Sequence, residues 1–292
     1  MRVERFAPSP TGLLHQGHAY SAALGWIAAR HTGGQFLLRM EDLDTARCRV
    51  PFYDAIECDL EWLGLSWDGE VLRQSARQDA YDAALSRLSG LGLLYPCICT
   101  RKDLRDVVSA PQETKDGEPP AYPGTCKGRC IAKDQPCATR LNMTACIDHL
   151  GGMTAVSKLK FETTHLSGDK GEVEISADHL LHRFGDVVLR RKDGAPAYHL
   201  AVVVDDAHQG VTHVTRGEDL RDVTAIHRVL QAVLGLPTPK YHHHALIRDE
   251  TGKRLAKRDD ARSIQSLRRA GMAPADIFES VGLSDLVAEF FS

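Results

Sequence analysis

The sequence lacks any apolar run that approaches the roughly 18–20 residues needed for a helix to span a membrane. Its first residues, Met-Arg-Val-Glu-Arg-Phe, lack the apolar core of a secretory signal peptide. The chain also lacks an excess of basic charge, because its formal net charge is −3 over 292 residues. Any contact with RNA would therefore depend on local basic patches. We expect a cytoplasmic protein without a membrane partner.

Disulfides are not expected in such a protein, so its eight cysteines favour thiols or metal ligands. Six of them are concentrated in one stretch: Cys97, Cys99, Cys126, Cys130, Cys137 and Cys146. Cys97 and Cys99 form a Cys-x-Cys pair, and Cys126 follows on a glycine-containing turn, a pattern typical of half a zinc site. Three residues compete for the fourth position: Tyr122, Cys130 and Cys137. The alternative is a group of reduced cysteines without a metal.

Hydrophobic patterning in the first 92 residues predicts alternating strands and helices. A strand over 2–7 leads into a stiff loop, Pro-Ser-Pro-Thr-Gly, and a helix follows over Gly17–Arg30. A second strand, 36–40, precedes helices at about 52–63 and 76–92. Strands joined by helices through short links predict a parallel sheet with ligands at its carboxyl edge. The predicted fold class is therefore α/β with a Rossmann-type parallel sheet.

The α/β pattern is interrupted from residue 96 to about 180, where Cys, Pro, Gly and Lys are frequent, and it then returns. We predict a Rossmann-type catalytic domain in two halves, an inserted zinc-bearing subdomain, and a small C-terminal helical region that holds a basic loop. The bounds of these units are 1–95 with 181–235, then 96–180, then 236–292.

Two local features suit a polyphosphate. His15-Gln16-Gly17-His18 lies between the stiff loop and a helix N-terminus, which offers N–H groups and partial positive charge. The run 252–258, Gly-Lys-Arg-Leu-Ala-Lys-Arg, is a basic loop that can close over phosphates. Seen alone, the first is more often a pair of surface histidines or a chance metal pair. The second alone is more often a solvated surface run.

Together these features resemble class I aminoacyl-tRNA synthetases. The segment 8–18 is similar to the HIGH motif as glutamyl and glutaminyl enzymes write it. The segment 254–258 stands where the KMSKS motif is expected, with Arg254 and Ala256 replacing the usual lysine and serine, and with Lys257 retained. Three further segments match glutamyl enzymes: Arg5–Ser9, Arg39–Thr45 and Gly217–Leu220. This order of motifs is specific and covers nearly the whole chain.

Length narrows the resemblance. A glutamyl-tRNA synthetase continues into an anticodon-binding domain, whereas this sequence ends at Ser292, soon after the basic loop. With the cysteine pattern, this resembles the glutamyl-Q tRNA(Asp) synthetase family. The resemblance implies that glutamate is activated with ATP without tRNA, and is then attached to the queuosine base in the anticodon of tRNA(Asp). The implied partners are ATP, L-glutamate and tRNA(Asp) carrying queuosine, and we expect a monomer.

The resemblance also implies roles for individual residues. The glutamate-binding positions are Arg5, Ala7, Ser9, Glu41, Tyr198 and Arg216. The ATP-binding positions are His15, Gly17, His18, Arg254 and Lys257, of which His15, His18 and Lys257 are catalytic. The ligands of one structural Zn²⁺ are Cys97, Cys99, Tyr122 and Cys126, and Mg²⁺ accompanies ATP. Elementary chemistry agrees, because Arg5 and Arg216 can each fork onto a carboxylate of glutamate while Glu41 holds its ammonium.

Two other functions remain open. One is a shortened glutamyl-tRNA synthetase that charges a tRNA 3′ end, and the missing anticodon domain argues against it. The other is a non-catalytic, zinc-bearing RNA-binding module derived from a synthetase. Retention of His15, His18 and Lys257 argues against that module.

Overall fold

The computed structural model describes residues 1–100, 103, 121–132, 134–164, 170–247 and 263–291. The strands in this part of the chain are β1 (Val3–Phe6), β2 (Gln35–Met40), β3 (Leu72–Arg73), β4 (Leu94–Cys97), β5 (Ala138–Leu141), β6 (Lys160–Thr164), β7 (Lys170–Glu174), β8 (Val188–Arg190), β9 (His213–Gly217) and β10 (Lys240–His244). The helices are α1 (Gln16–Arg30), α2 (Val50–Trp62), α3 (Gln78–Gly90), α4 (Met143–His149), α5 (Met153–Val156), α6 (Ala177–His179, continued by a π-helical turn), α7 (Tyr198–His208), α8 (Thr224–Leu234), α9 (Ile264–Arg269), α10 (Pro274–Ser280) and α11 (Ser284–Phe291).

Parallel strands form the centre of the molecule, as the sequence predicts. β1 pairs with β2 and β2 with β3, all in parallel, while β10 lies in parallel between β9 and β6. β1 and β9 run side by side, since the Thr212 amide donates to the Val3 carbonyl at 3.0 Å. The carboxyl ends of β1, β2, β9 and β10 consequently meet along one edge, where a parallel sheet binds its ligands.

Helix α1 follows the stiff loop and packs on these strands. Four of its alanines, Ala19, Ala22, Ala23 and Ala29, have no exposed surface, so their small side chains let the helix approach the sheet closely. The chain then turns at Gly33, whose φ is 61°, and passes Gly34. A Cβ on Gly34 would lie 2.3 Å from the Arg2 carbonyl oxygen, so only glycine allows this return into β2.

The cysteine-rich part of the chain contributes a separate antiparallel sheet of β4, β5 and β8. Part of the predicted insertion also reaches the parallel sheet, because Thr163 of β6 pairs with Tyr241 of β10. The composition of the predicted insertion interrupts the α/β pattern of the sequence. In the structure, however, burial alternates along β6, where Phe161 and Thr163 are buried, as in a strand that packs on a core. The three-unit division of the chain stays a prediction.

The sequence reading missed several elements, among them strand β10 and helix α11, which lie in the predicted C-terminal helical region. Three consecutive histidines in β10 lack the apolar signal of a buried strand, which explains that omission.

Two large apolar clusters stabilise these layers. One joins α1, β1 and β2 to α2 and the C-terminal helices through Ile264, Ile277 and Phe278. The other joins α3 and α4 to α7, α8 and the strands β9 and β10. In the described parts of the chain, every helix is too short or too polar to cross a bilayer.

Candidate active site

A cleft of about 490 Å³ opens at the carboxyl ends of β1, β2, β9 and β10. The predicted site residues that line it are Arg5, Ala7, Ser9, His15, Gly17, His18, Glu41, Tyr198 and Arg216. The structure therefore brings together all predicted glutamate positions and the predicted ATP positions that precede the basic loop. Arg254 and Lys257, predicted to contact ATP, lie outside the described residues.

One wall of the cleft holds a balanced cluster of buried charges. Asp206 Oδ1 accepts from Arg5 Nε at 3.2 Å and from Arg39 Nη1 at 2.7 Å. Arg39 Nη2 also donates to Glu41 Oε1 at 3.3 Å. Two guanidinium groups thus face two carboxylates, which is how a protein interior tolerates charge. This arrangement fixes Arg5 and Glu41 at the surface of the cleft.

Burial and charge act in opposite directions on the acids of this cluster. Burial alone would raise the pKa of Asp206, but Arg39 and Arg5 outweigh it and lower that pKa. Burial raises the pKa of Glu41 despite the same two arginines. A ligand ammonium near Glu41 would favour its ionised form.

Arg216, near the end of β9, also lines the cleft, and its guanidinium has only neutral partners among the described residues. Its Nη2 donates to Thr224 Oγ1 at 2.6 Å and to the Leu220 carbonyl at 3.0 Å. Its Nη1 donates to Tyr198 Oη at 3.4 Å, which places the phenol of Tyr198 beside it in the cleft. An anionic group of a ligand would be its natural counter-ion.

Hydrogen bonds at the start of α1 orient the two histidines of the HIGH-like motif. His15 Nδ1 accepts from the Gly17 amide at 3.1 Å, and His18 Nδ1 accepts from the His15 amide at 3.2 Å. Their rings stack with centroids 3.8 Å apart. Because each Nδ1 is an acceptor, we infer that the ring proton is on Nε2, which is then a donor. A Cβ on Gly17 would lie 3.1 Å from the His15 ring, so glycine allows the ring to fold back.

The residues that flank the basic loop lie at the same place. Ile247, just before the segment that lies outside the described residues, lines the cleft. Ser263, just after it, forms a β-bridge with His15, and the Ile264 amide donates to the Leu14 carbonyl at 2.8 Å. Residues 247 and 263, on either side of the segment 248–262, thus lie at the cleft.

The predicted zinc ligands lie together beside the antiparallel sheet, and Cys97 ends its strand β4. The thiols of Cys97, Cys99 and Cys126 lie within 4.8 Å of one another and could hold a metal ion. Tyr122 Oη is 3.4 Å from the sulfurs of both Cys97 and Cys99, and Cys99 Sγ is 3.5 Å from Cys126 Sγ. Zinc–sulfur bonds of about 2.3 Å impose ligand separations of about 3.8 Å in a tetrahedron, close to these values. Three thiols and one phenol at this spacing fit a tetrahedral zinc ion.

The surroundings of this cluster favour a thiolate and fix the phenol. Burial alone would raise the pKa of Cys126, but hydrogen bonds, first that with Tyr122, lower it to about 7. The Arg140 guanidinium lies 3.7 Å from the centroid of the Tyr122 ring. Gly185 has a φ of 58°, and a Cβ there would lie 2.8 Å from the Tyr122 carbonyl oxygen. Glycine at 185 is therefore required for the backbone approach that positions Tyr122.

The other two competitors for the fourth position lie apart from this group. Cys130 is exposed and Cys137 half-buried. Within the described chain, the cysteine cluster contains neither of them. The geometry favours Tyr122 as the fourth ligand.

Sequence reasoning missed several residues that hold the cleft together: Arg39, Asp206, Thr224, His227 and His243. Arg39 was part of a quoted motif, and Asp206 ends an apolar run, so their positions after buried segments were a usable signal. Nothing in the local sequence marks Thr224 or the two histidines as partners of Arg216.

Residues 2–288 match the family described as tRNA synthetases class I (E and Q), catalytic domain. The chain is 48% identical over 289 residues to the glutamyl-Q tRNA(Asp) synthetase of Rhodobacter capsulatus, covering 96% of this chain and 100% of that relative. It is 42% identical to the protein of the same name from Nocardia farcinica, covering 98% of this chain and 88% of that protein.

Solved structures agree on the fold. A glutamate tRNA ligase from Elizabethkingia meningosepticum in complex with its amino acid is 28% identical, with a TM-score of 0.68 and coverage of 88% of this chain. The chain spans about half of that ligase, 52% of its length. A methionyl-tRNA synthetase from Mycobacterium tuberculosis, 12% identical with a TM-score of 0.57, shares the fold alone.

Proposed function

This chain belongs to the family of class I tRNA synthetase catalytic domains for E and Q, and from that premise we propose that it activates glutamate with ATP and transfers it to the queuosine base of tRNA(Asp). The proposed acceptor is the one in the name of relatives with 39–48% identity, glutamyl-Q tRNA(Asp) synthetase. The observation that carries the proposal is one cleft lined by both Arg216 and the His15–His18 motif.

Glutamate presents two carboxylates and one ammonium, and the cleft has matching groups. Arg216 is the guanidinium without an acidic partner among the described residues, so it is suited to one carboxylate. Glu41 offers an anionic oxygen to the ammonium, and Arg5 lies beside it in the same charge cluster. Ala7 and Ser9, on the strand end and the stiff loop, complete the binding surface.

In the first step, a carboxylate oxygen of glutamate attacks the α-phosphorus of ATP, and the bond to the β-phosphate oxygen breaks. The products are glutamyl-adenylate and pyrophosphate. His15 and His18 supply Nε2–H donors to the phosphate oxygens as negative charge grows, and the N-terminus of α1 adds its partial positive charge. Mg²⁺ bound to ATP supplies further charge neutralisation.

The basic loop is proposed to supply additional cations to the same phosphates. Arg254 and Lys257 belong to it, and the described residues on either side of it support the proposal, because Ile247 lines the cleft and Ser263 bridges to His15. In the second step, a hydroxyl of the queuosine ring attacks the activated carbonyl carbon, and AMP leaves. Positioning and charge neutralisation are the main catalytic contributions in this scheme.

We further propose one structural zinc ion on Cys97, Cys99, Tyr122 and Cys126. A zinc ion there would join β4 to the turn at residues 122–126. Asp186 ties this region to the rest of the fold, because it accepts from Tyr95 Oη at 2.6 Å and from the Met143 amide at 2.8 Å.

An exchange assay tests the activation step. Purified protein with ATP, labelled pyrophosphate and glutamate should show glutamate-dependent exchange without tRNA. Absence of exchange would contradict the enzyme and leave the RNA-binding module as the better function. A second assay with labelled glutamate should label queuosine-containing tRNA(Asp) and leave queuosine-lacking tRNA unlabelled. Label in queuosine-lacking tRNA would indicate charging of a 3′ end instead.

Metal analysis tests the zinc site. The protein should contain about one zinc ion per chain, as expected for a closed four-ligand site. Cys126→Ser should lose most of that zinc, whereas Cys130→Ser, at an exposed cysteine outside the cluster, should retain it. Tyr122→Phe should weaken retention during dialysis against a chelator. Equal zinc in Cys126→Ser and the parent protein would exclude this site.

A further inference from the structure

Arg216 is 5% exposed, and its described surroundings differ from those of the other arginines of the cleft. Arg5 and Arg39 share Asp206, so each has a carboxylate in the protein. The groups that accept from Arg216 are all uncharged: Tyr198 Oη, His227 Nδ1, His243 Nε2, Thr224 Oγ1 and the Leu220 carbonyl. We call these acceptors the neutral collar.

The bonds of the neutral collar differ in length. The two bonds from Nη2, to Thr224 and Leu220, measure 2.6 and 3.0 Å and anchor the guanidinium to the start of α8. The bonds from Nε and Nη1 measure 3.3–3.4 Å. Nη1 is thus held loosely by Tyr198 and His227. A ligand carboxylate, which makes shorter and stronger bonds, can displace these partners at little cost.

Hydrogen-bond direction fixes the tautomers of two histidines behind Arg216. A guanidinium has only donors, so His227 Nδ1 must accept, and its own proton is on Nε2. That Nε2–H faces His199 Nδ1 at 3.2 Å, which therefore accepts in turn. Arg216 thus donates to His227, and His227 donates to His199. Both histidines must be neutral for these two hydrogen bonds to form.

His243 completes this arrangement from β10. Its Nε2 accepts from Arg216 Nε at 3.3 Å and lies 3.3 Å from Thr224 Oγ1, so its proton is on Nδ1. Burial and the adjacent Arg216 lower the pKa of His199 to about 4 and of His243 to about 3. The same two causes hold the pKa of His227 well below its usual value. These three imidazoles are uncharged at neutral pH.

We propose that His227, backed by His199, is a positioning residue that holds Arg216 in the cleft without neutralising it, so that the substrate carboxylate becomes its counter-ion. This deepens the proposed function and rests on it. The neutral collar fixes the orientation of the guanidinium, whereas an acidic partner would also compensate its positive charge. Among the described residues, the charge of Arg216 thereby has no acidic counter-ion, and the carboxylate of a bound glutamate supplies one.

A matched pair of variants separates the effect of a hydrogen-bond acceptor on Arg216 from the effect of a negative charge beside it. The side-chain oxygen of His227→Asn and of His227→Asp can each take the place of Nδ1 as acceptor, but only the second adds a negative charge. In pyrophosphate exchange, the KM for glutamate should be higher in His227→Asp than in His227→Asn by about tenfold or more, as expected for loss of a buried charge pair with the ligand. The KM for ATP should be the same in both. His149→Asp, on the exposed end of α4, should leave both constants unchanged.

Thermal unfolding without substrate gives a second readout that does not depend on the reaction. His227→Asp should melt at a higher temperature than His227→Asn, because it supplies the counter-ion that Arg216 lacks. If the parent protein shows no glutamate-dependent exchange but this order of melting holds, the neutral collar stands and the proposed function fails. If exchange is normal but the two variants have equal KM values and equal melting temperatures, the collar is wrong.

A second pair guards against misfolding at position 227. His243→Gln and His243→Glu place an oxygen near the position of Nε2, and they differ in charge in the same way. The same order of KM values and of melting temperatures is expected. Where the His227 variants do not fold, equal KM values and equal melting temperatures in the His243 pair overturn the proposal.

Discussion

At the scale of single residues, the cleft contains two kinds of buried arginine. Arg5 and Arg39 are balanced inside the protein by Asp206 and Glu41, so they build the wall. Arg216 lacks such a partner among the described residues, so it is available to a substrate. Arg5 stays a predicted glutamate-binding residue, but its carboxylate partner leaves less of its charge for a ligand than Arg216 retains.

Replacing Asp206 should therefore destabilise the protein, because it breaks the buried charge cluster. Asp206→Asn leaves two buried guanidinium groups facing one carboxylate, and should lower the free energy of unfolding by about 3–5 kcal/mol. Because its folded-state pKa is lowered, the stabilisation from Asp206 is present at neutral pH and is lost as pH falls through that lowered pKa. Urea unfolding at pH 7.5 measures the loss.

The control for this prediction is an exposed ion pair. Asp193 pairs with Arg191 at 3.0 Å, and its side chain is 62% exposed. Asp193→Asn should leave the free energy of unfolding nearly unchanged, as is usual for surface pairs. An equally small loss in Asp206→Asn would contradict the account of the buried cluster.

At the scale of elements, α9 follows the basic loop in sequence and packs against the core. It begins beside Ser263, whose Oγ accepts from the Ser266 amide at 3.1 Å, and Ile264 is fully buried. On its other face, Arg268 Nη2 lies 3.6 Å from Asp59 Oδ1 of α2. Asp59 is fully buried, and neither of its oxygens has a hydrogen-bond partner among the described residues.

The burial of the Asp59 carboxylate lowers the stability of the protein at neutral pH. Burial raises the pKa of Asp59 to about 6, although Arg268 partly opposes the rise. The folded state therefore binds a proton that the unfolded state releases, and stability from this group falls as pH rises from about 4 to about 6. Asp59→Asn should increase the free energy of unfolding by about 1–3 kcal/mol at pH 8, with a smaller gain at pH 5.

Chemical unfolding at both pH values checks this prediction. Asp54→Asn, at an exposed position on the same helix, should show no such pH-dependent gain. A gain in Asp59→Asn that is equal at pH 5 and pH 8 would refute the assignment to ionisation. A loss at pH 8 would show that the contact with Arg268 outweighs the cost of burial.

At the scale of the whole molecule, the cleft is assembled from distant parts of the chain. Arg5 and Asp206 are 201 residues apart in sequence, and Arg39 and Asp206 are 167 residues apart. Such a site exists only while both large apolar clusters are intact. A ligand that binds it should stabilise the native protein as a unit.

Saturating glutamate with a non-hydrolysable ATP analogue should raise the melting temperature by several degrees. At about 100 times Kd, binding adds about 2.7 kcal/mol, which corresponds to a shift of about 4 °C for a chain of 292 residues. Arg216→Gln should abolish the part of the shift that glutamate produces and keep the part from the nucleotide. A shift with glutamate that survives in Arg216→Gln would place glutamate elsewhere.

Much of the fold was predictable where local pattern and tertiary environment agree. β1, α1 and β2 have alternating or helical apolar spacing and clear glycine and proline boundaries, and they were predicted to within one or two residues. β10 was missed because its three histidines, of which His244 is buried and the other two half-buried, are covered by a partner strand on each side and not by their own hydrophobicity.

The sequence by itself indicated the chemistry of the motifs: the histidines at a helix start, the basic loop, and the Cys-x-Cys pattern with Cys126. These are local features, and their residue types and spacing state what they can bind. Only the tertiary structure decided which cations are neutralised and which are left for a ligand, because Asp206, His227 and His243 reach their partners through packing of distant elements. The charge balance of a buried group depends on its neighbours in space, and no local pattern encodes them.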